Sequence, residues 1–375
     1  MTESERLHPP AKALAFHLPQ FHPNVSNDTW WGKGFTEWTN VAKARPRFKG
    51  HYQPHLPADL GFYDLRLPEA RAAQSELALA YGLSGFLYYH YWFSGERLLH
   101  EPVQRTLEND EPGIPFALCW ANETWSRRWD GSEHEVLIQQ LYSHEDDLAH
   151  IRHLVETFSA SRYFRVAGKP LFAVYDVSGL PEPRRTTDTW RAEAARLGVG
   201  EIFLCAVERQ VSYDLEALGF DAAIEFQPMS RFVQGGYSLP LPERVRNRLR
   251  PRGHPSRTMQ LFDYAELAHV ASAQGQDPYL RFPGVTPAWD NSARRKAWPH
   301  IYVGSTPALY EDWLGAALRR PLTNAPEKLV FINAWNEWAE GNHLEPDSRN
   351  GLSYLEATAR ALGDYSRLTW HAGSS

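Results

Sequence analysis

The chain has 375 residues, with 39 basic and 45 acidic side chains, a formal net charge of −6 and a sequence pI near 6.2. This length suffices for one large α/β domain with an extensive core. The charge balance provides no global basic field for nucleic acid or for an anionic membrane surface, so we expect neither as a partner.

Short apolar strands alternate with amphipathic helices along the chain. The helix at 68–81 is the clearest, with Pro68 at its start, apolar residues at helical spacing and Gly82 after its end. In chain order, the sequence predicts strand 11–17, helix 68–81, strands 83–95 and 115–120, helix 146–158, strand 170–176, helix 190–197, strand 202–208, a short helix near 215, strand 222–227, helix 264–273, a strand ending at 284–291, helix 309–318, a strand beginning at 330 and helix 354–362.

This alternation predicts a single catalytic domain over residues 1–375, with the α/β fold of a (β/α)8 TIM barrel and long loops on its active face. A doubly wound open sheet is the alternative. Polar and aromatic residues follow strand after strand, and in a barrel those positions converge on one face. An open sheet would carry a glycine-rich phosphate loop, and the sequence has neither GxGxxG nor GxxxxGK[ST].

Two segments are expected to shape that face. The loop that follows the first strand, 18–57, is rich in Trp, His and Gly and is too long for a simple connector. Residues 229–260 form an expected rim insertion with seven Arg between Arg231 and Arg257. Such a run of basic residues is usually a solvated face. The alternative, a functional one, is that it forms the edge of a pocket for an acidic sugar.

The composition and the N-terminal residues support further expectations. The sequence contains 14 Trp, 17 Tyr and 18 Phe. Their rings suit stacking on sugar faces, with a large aromatic core as the alternative explanation. No segment reaches the roughly eighteen apolar residues of a membrane span and 1–12 has no apolar stretch, so we expect no signal peptide and a cytoplasmic location. Cys119 and Cys205 lie in apolar runs, which favours buried thiols.

The stretch 330–346 carries the strongest chemical signal. An apolar run delivers Glu337 and Glu340 to its carboxyl end, three residues apart and beside Trp335 and Trp338. Two carboxyl groups next to aromatic surface are suited to acid/base work on a glycosidic bond, because desolvation keeps one of them protonated. The alternative is an ordinary helix N-terminus, where Glu is favoured in the first turn.

Two other groups of residues leave alternatives open. Glu123 is either a second acid/base group or the ion-pair partner of Arg127 or Arg128. The chain has no HExxH or CxxC spacing, so sugar binding suits its histidines better than metal binding, and we expect no metal and no cofactor. No G-x-S-x-G elbow occurs, which leaves an esterase without support. The histidines considered for a metal are His17, His22, His51, His55 and His90.

Four runs, 17–66, GFLYYHYWFSG at 85–95, CWANETWSRRWDG at 119–131 and NAWNEWAEGNHLEP at 333–346, resemble the WbsX family of polysaccharide-locus proteins. That family is often labelled glycosyltransferase and is related to the endo-α-mannosidases of glycoside hydrolase family 99. The resemblance covers nearly the whole chain and implies a (β/α)8 barrel that acts on an oligosaccharide or polysaccharide.

The resemblance also implies roles for the two carboxyl groups. In the endo-mannosidases the motif N-E-W-x-E-G carries both catalytic carboxylates, and 336–341 of this chain matches it. By that match Glu337 would deprotonate the 2-hydroxyl of the substrate, which attacks the anomeric carbon. Glu340 would protonate the leaving oxygen and then act as the base for water. Ala339 stands where those enzymes commonly have His, which concerns sugar specificity more than the reaction type.

Polar and aromatic residues at the strand ends and in the long loop are expected to contact the substrate. These are His17, Gln20, Trp31, Glu37, Trp38, His90, Trp92, Trp120, Asn122, Glu123, Asp176, Glu208, Trp289, Asp290, Trp335, Asn336 and Trp338.

Three functions remain open from the sequence. The paired Glu favour a retaining, endo-acting glycoside hydrolase on a bacterial or mannose-type glycan. The family label favours a glycosyltransferase of O-antigen or capsular polysaccharide biosynthesis, although the chain has no DxD, glycine-rich loop or Rossmann pattern for a nucleotide-sugar donor. A noncatalytic glycan-binding barrel would keep the aromatic residues but would not need Glu337 and Glu340.

Overall fold

The computed structural model describes residues 11–109, 111, 113–127, 132–209, 211–228, 236–251 and 254–372. Parts of the expected rim insertion, 229–235 and 252–253, lie outside these residues, as do 128–131 of the third motif.

Parallel strands form a nearly closed ring, in which the first strand pairs with both the second and the last. Each strand is apolar on both faces, because the interior of the barrel lies on one side and the helices on the other. In chain order the strands are β1 Lys12–His17, β2 Gly85–Phe93, β3 Phe116–Trp120, β4 Lys169–Val174, β5 Phe203–Glu208, β6 Ala222–Glu225, β7 with its two parts Arg281–Phe282 and Gly284–Val285, and β8 Leu329–Ile332.

The strand β7 closes the ring in two parts, one on each side of Pro283. Its first part pairs with β6 and its second part with β8, and the Phe331 amide donates to the carbonyl oxygen of Pro283 at 2.9 Å. A Cβ at Gly284 would lie 1.8 Å from the carbonyl oxygen of Glu225, so the close approach of these strands requires glycine. The predicted (β/α)8 barrel is therefore confirmed.

Helices cover the outside of the barrel. Several begin with proline, whose missing N–H costs nothing in the first turn, and others begin at a side-chain cap such as Ser143 or Thr306. The helices are α1 Val25–Trp31, α2 Glu37–Lys43, α3 Pro68–Ala80, α4 Glu101–Glu108, α5 His144–Phe158, α6 Pro183–Arg196, α7 Leu215–Leu218, α8 Leu241–Leu249, α9 Tyr264–Ser272, α10 Pro307–Arg319 and α11 Ser353–Ala372.

The two faces of the barrel wall pack into different clusters. Phe16 lies in the interior, with ring centroids 5.6 Å from Tyr89, 5.4 Å from Phe226 and 6.3 Å from Phe331. Its neighbour Ala15 belongs to a second buried cluster with side chains of α9, α10 and α11. Successive side chains of a strand thus alternate between the interior and the helices.

Several short elements between the barrel strands are not predicted from the sequence. The helices α1 and α2 lie in the long loop after β1, and α8 lies in the expected rim insertion. The antiparallel pair Trp125–Arg127 and Ser132–Ile138 follows β3, and the strands Gln260–Asp263 and His300–Val303 pair in parallel beside the barrel. These additions build the face at the carboxyl ends of the strands.

Candidate active site

An open cavity of about 280 Å³ lies at the carboxyl ends of the barrel strands. In a (β/α)8 barrel this is the end that carries catalytic groups. The cavity is lined from β1, β2, β3, β4, β6, β7 and β8 or the loops that follow them, by Leu18, Gln20, Trp31, Tyr89, Tyr91, Ala121, Glu123, Thr124, Trp125, Ser126, Leu137, Tyr175, Phe226, Trp289, Arg294, Glu337 and Glu340.

Arg294 joins three carboxylates on one side of this cavity. Its Nη2 lies 2.7 Å from Glu37 Oε1 and 2.7 Å from Glu337 Oε2, and its Nη1 lies 2.7 Å from Glu340 Oε1. The Glu340 side chain is 19% exposed and that of Glu337 is 6% exposed. One guanidinium therefore holds the two predicted catalytic carboxyl groups side by side, with Glu340 the more accessible to a ligand.

Local structure after β8 fixes the positions of Glu337 and Glu340. The pair Asn336–Glu337 forms a short antiparallel ladder with Asn342–His343, and a 3-10 turn, Trp338–Glu340, connects them. Gly341 closes the turn at φ +55°, and the Glu340 carbonyl accepts from the Asp290 amide at 2.6 Å. This conformation favours glycine, whose absent Cβ also leaves room for Asp290.

The side chain of Asn336 anchors this segment to the end of β1. Its Oδ1 accepts from the Leu18 amide at 2.7 Å and its Nδ2 donates to the Leu18 carbonyl at 3.0 Å. Trp338 packs on Trp38 and donates to Glu345 Oε2 at 2.5 Å. Asn336, Trp338 and Trp38 therefore position the segment that carries Glu337 and Glu340, and they do not line the cavity.

The electrostatics of the cluster favour bound protons. Burial raises the pKa of Glu337 to about 8; Arg294 opposes this shift, whereas Glu340 and Glu37 add to it. Burial likewise raises the pKa of Glu340, again against the effect of Arg294. Burial acts to lower the pKa of Arg294, but the three carboxylates outweigh it and raise that pKa well above its usual value. Neighbouring carboxyl groups with raised pKa values are typical of sites that transfer protons.

We expect Glu337→Gln to stabilise the protein in alkaline solution. Because burial raises the pKa of Glu337 to about 8, its protonated form contributes stability at low pH that the wild type loses as the pH rises through 8. The glutamine variant has no such loss. Urea unfolding at pH 6 and pH 9 should show the variant gaining roughly 1–3 kcal/mol over wild type between these values.

Titrating groups outside the cluster of Arg294, Glu37, Glu337 and Glu340 are common to both proteins and cancel in this difference. Within the cluster, the loss of Glu337 also removes a charge that repels Glu340, which changes the difference in the same direction. Glu69→Gln, on the exposed start of α3, is a matched control. Its difference in unfolding free energy from wild type should be the same at both pH values. If the difference in unfolding free energy between Glu337→Gln and wild type is equal at both pH values, the raised pKa of Glu337 is contradicted.

Of the other residues predicted to contact substrate, four line the cavity: Gln20, Trp31, Glu123 and Trp289. Glu123 also forms an ion pair with Arg209 at 3.0 Å, whereas Arg127 pairs with Glu135. Glu123 thus has an ion-pair partner, Arg209, other than Arg127. The other predicted partner, Arg128, lies outside the described residues. Its contact with substrate remains a proposal.

His17, His90 and Trp92 lie on the outer side of the barrel wall and do not line the cavity. His17 Nε2 bonds Gln74 Oε1 of α3 at 3.1 Å. His90 and Trp92 stack on His150 of α5, with ring centroids 5.1 and 4.8 Å apart. The physical reason is alternation along the strand, because Tyr89 and Tyr91 occupy the inward positions of β2.

Further predicted residues stabilise the loops and the wall without reaching the cavity. Asn122 donates to the carbonyl of Asp176 at 2.7 Å and accepts from its amide at 2.8 Å, which ties the loops after β3 and β4 together. Glu208 pairs with Arg281 at 3.0 Å inside the barrel wall. Trp120 donates to the Trp92 carbonyl at 3.1 Å, Trp335 packs on Phe86 with ring centroids 5.1 Å apart, and Asp290 bonds His51 at 2.6 Å and Gln53 at 2.7 Å.

Five residues of the cavity wall are not among those predicted from the sequence: Arg294 and the inward aromatic residues Tyr89, Tyr91, Tyr175 and Phe226. The positions of Tyr89 and Tyr91 could have been predicted, because successive side chains of β2 point to opposite faces and place these two tyrosines on the face opposite to His90 and Trp92. For Arg294 the sequence offered none, because it stands beside Arg295 and Lys296 in a segment that reads as a solvated charge run.

One group in the described part of the chain could hold a metal ion, although the sequence favours none. His55, His343 and Asp347 are buried, and their candidate ligand atoms lie within 4.8 Å of one another. They border a different cavity of about 410 Å³, away from Glu337. The same atoms have protein partners, since His55 Nδ1 lies 2.9 Å from His343 Nε2 and Asp347 accepts from the Asn350 side chain at 3.0 Å.

The barrel has the same fold as solved structures of glycoside hydrolases and of a glycoside hydrolase-like protein. The chain belongs to the WbsX family, since the family model described as "Glycosyltransferase WbsX" matches residues 13–358. This confirms the resemblance found in the sequence motifs.

Two curated relatives come from Xanthomonas campestris pv. campestris and are both described as "Uncharacterized protein WxcX". The protein of strain B100 is 47% identical over 355 residues and that of strain ATCC 33913 is 46% identical over 355 residues. Each alignment covers 94% of this chain and 50% of the relative, so the chain spans about half the length of these relatives.

Solved structures with the same fold include two of an endo-α-mannosidase of glycoside hydrolase family 99 from Bacteroides thetaiotaomicron. They have TM-scores of 0.55 and 0.56 and 16% identity, and each comparison covers 95% of this chain and 97% of the other. A glycoside hydrolase-like protein has a TM-score of 0.59 at 13% identity, with 94% of each chain covered. At these identities the likeness concerns the fold alone.

Across the described ranges, no helix combines the length and the apolar character needed to cross a membrane.

Proposed function

We propose that this protein is a retaining, endo-acting glycoside hydrolase on a bacterial or mannose-type glycan, with Glu337 and Glu340 as its catalytic pair. The observation that carries the proposal is the placement of both carboxyl groups on Arg294 at the wall of an open cavity, each with a raised pKa. Such a pair at the carboxyl ends of barrel strands is suited to cleaving a glycosidic bond.

In the first step, Glu337 takes the proton from the 2-hydroxyl of the sugar, whose oxygen attacks the anomeric carbon. The bond from that carbon to the glycosidic oxygen breaks, and Glu340 gives its proton to the departing oxygen. Glu337 acts as this base in its deprotonated form, and because its pKa is raised to about 8 the share of that form grows as the pH rises towards 8. Once deprotonated, it is a stronger base for a weakly acidic hydroxyl than an ordinary carboxylate.

In the second step, Glu340 takes a proton from water, whose oxygen attacks the anomeric carbon. The bond between that carbon and O2 breaks, and Glu337 returns the proton to O2. The two inversions at the anomeric carbon restore the starting configuration, so the reaction is retaining. The side-chain exposures support these roles, since Glu340 is the carboxyl more accessible to the leaving group.

The walls of the cavity support a sugar as the ligand. Trp31, Trp125 and Trp289 present ring surface to it, together with Tyr89 and Tyr91. Aromatic faces stack on the C–H faces of sugars, and tyrosine hydroxyls can bond sugar hydroxyls. Endo action is part of the proposal because the family resemblance implies it.

A glycosyltransferase is the second candidate, and the family description favours it. That reaction needs a nucleotide-sugar donor or a comparable activated sugar. The sequence has no glycine-rich phosphate loop for such a donor.

Time-resolved proton NMR of the anomeric region tests the proposal. Wild-type protein is incubated with α-mannans and bacterial surface polysaccharides, and separately with nucleotide sugars and an acceptor glycan. New reducing ends that appear first in the configuration of the bond cleaved support a retaining hydrolase. Products that appear first in the opposite configuration, or glycosyl transfer that requires a nucleotide sugar, would refute it.

A further inference from the structure

A second cavity of about 550 Å³ adjoins the candidate active site. Trp31 and Arg294 belong to the walls of both cavities. The remaining wall comes from the end of α2, the loop after it, the segment after α8 and the loop after β7. Trp31 and Arg294 therefore form a boundary that the candidate active site and the second cavity have in common.

The second cavity is strongly cationic although the chain as a whole has a net charge of −6. Among the described residues that line it, none is acidic. Its basic side chains besides Arg294 are Lys43, Arg45, Arg47, Arg250, His254 and Lys296. Such a concentration of positive charge on a concave wall favours the binding of an anionic ligand.

Some of these basic side chains build the wall. Arg47 is buried and donates to four backbone carbonyls, including those of Ser292 at 2.9 Å and Lys296 at 3.1 Å. Arg250 donates to the Ser256 hydroxyl at 2.6 Å. Both Nη atoms of Arg47 and Nη1 of Arg250 are engaged in the wall, so these side chains contribute a fixed positive charge and a rigid shape.

Two lysines are available to a ligand. Lys43 and Lys296 are exposed, and within the described ranges neither ammonium group pairs with a carboxylate. A lysine ammonium is a mobile point charge with three donors, which can meet carboxylate or phosphate oxygens in several geometries. These two residues are therefore the groups that would contact an anionic ligand directly.

The two cavities have opposite electrostatic character. On the active-site side Arg294 faces three carboxylates, Glu37, Glu337 and Glu340. An anionic group would find Arg294 already paired with carboxyl groups there, whereas the second cavity offers two exposed ammonium groups. This difference would orient a glycan, because an acidic sugar would bind more favourably on the lysine side of the cleavage point.

We propose that this cavity is a subsite for an anionic substituent of the glycan, such as the carboxylate of a uronic acid or a phosphate, next to the sugar at Glu337 and Glu340. The inference rests on the proposed function, since it places the anionic residue beside the bond cleaved. It names the substrate class as an acidic polysaccharide.

The test measures binding, so that it stands apart from turnover. Glu340→Gln protein, which retains the cavity, is titrated calorimetrically with acidic oligosaccharides from bacterial polysaccharides and with the same oligosaccharides after reduction of their carboxyl groups. The measurement is repeated in Glu340→Gln carrying Lys43→Ala and Lys296→Ala. The control carries Lys33→Ala and Lys169→Ala, which remove the same charge outside both cavities.

We expect at least one acidic oligosaccharide to bind roughly tenfold more tightly than its reduced form at low salt, with this preference lost in the Lys43 and Lys296 variant and kept in the control. The preference should also shrink as salt is raised. If every acidic probe binds no better than its reduced form, or if both lysine variants behave alike, the inference is refuted.

A nucleotide diphosphate is the other source of anionic oxygens, and it is titrated in the same proteins. Tight binding of the nucleotide that is lost only in the Lys43 and Lys296 variant would assign the cavity to a glycosyl donor, which refutes both this inference and the hydrolase proposal. Preferential binding of an acidic glycan without any bond cleavage by wild type would support the subsite while refuting the hydrolase.

Discussion

Replacing Glu340 by glutamine is expected to lower kcat on an unactivated glycan by roughly 10³-fold, the usual contribution of a general acid. Glutamine keeps the size of the side chain but has no proton to give to the leaving oxygen. Binding should survive, because Arg294 retains Glu37 and Glu337 as partners. Hydrolysis rates and calorimetric affinities measured on one glycan separate the two effects.

The leaving group distinguishes the roles of the two carboxyl groups. An aryl glycoside with an acidic phenol needs little protonation, so Glu340→Gln should lose much less activity on it than on a glycan. Glu337→Gln should be slow on both, since the attack on the anomeric carbon is impaired in each case. Glu69→Gln, which changes an exposed carboxyl group outside this cavity, is the matched control and should change kcat little. Wild-type rates for Glu340→Gln on an unactivated glycan would refute its role.

The barrel could be predicted because its signals are local. Apolar strands such as β3, the proline at the start of α3 and the regular alternation of helix with strand are all readable within about twenty residues of sequence. The position of Glu337 and Glu340 followed from the same signals, because a barrel brings the carboxyl ends of its strands to one face.

The arrangement around Arg294 could not be predicted because it is not local. Arg294 bonds Glu37, which lies 257 positions away in the sequence, and Glu337, which lies 43 positions away. Neither separation corresponds to a helical or strand period, so only the closed barrel brings these charges together. The same applies to the cationic cavity, whose lysines come from the end of α2 and from the loop after β7.

The placement of His17 and His90 has a different cause. Both stand at the carboxyl ends of strands, where a barrel carries its functional groups. The position at a strand end does not specify which face of the strand a side chain occupies. Along β2 the tyrosines at 89 and 91 face inward, so His90 is directed to α5. The two-residue period of β2 therefore indicates Tyr89 and Tyr91, and not His90, as the residues that face the cavity.

Replacing Arg294 by methionine is expected to destabilise the protein by about 3–5 kcal/mol at pH 8, because it removes the one cation that contacts all three carboxylates. Methionine fills a similar volume, so the decrease in unfolding free energy would result from the missing charge and not from a new cavity. Urea unfolding measures it. Activity should be lost as well, since Glu337 and Glu340 would repel each other and no longer be held side by side.

The loss in Arg294→Met should shrink as the pH is lowered towards 5. Without the guanidinium, burial and mutual repulsion raise the pKa values of Glu337 and Glu340 further. Carboxyl groups with raised folded-state pKa values contribute stability at low pH that is lost as the pH rises, so protonation relieves the defect. Arg185→Met, which breaks an exposed pair with Glu182, is the control and should have little effect at either pH. A penalty for Arg294→Met that is equally large at pH 5 and pH 8 would indicate lost packing, and would contradict a charge cluster built around this arginine.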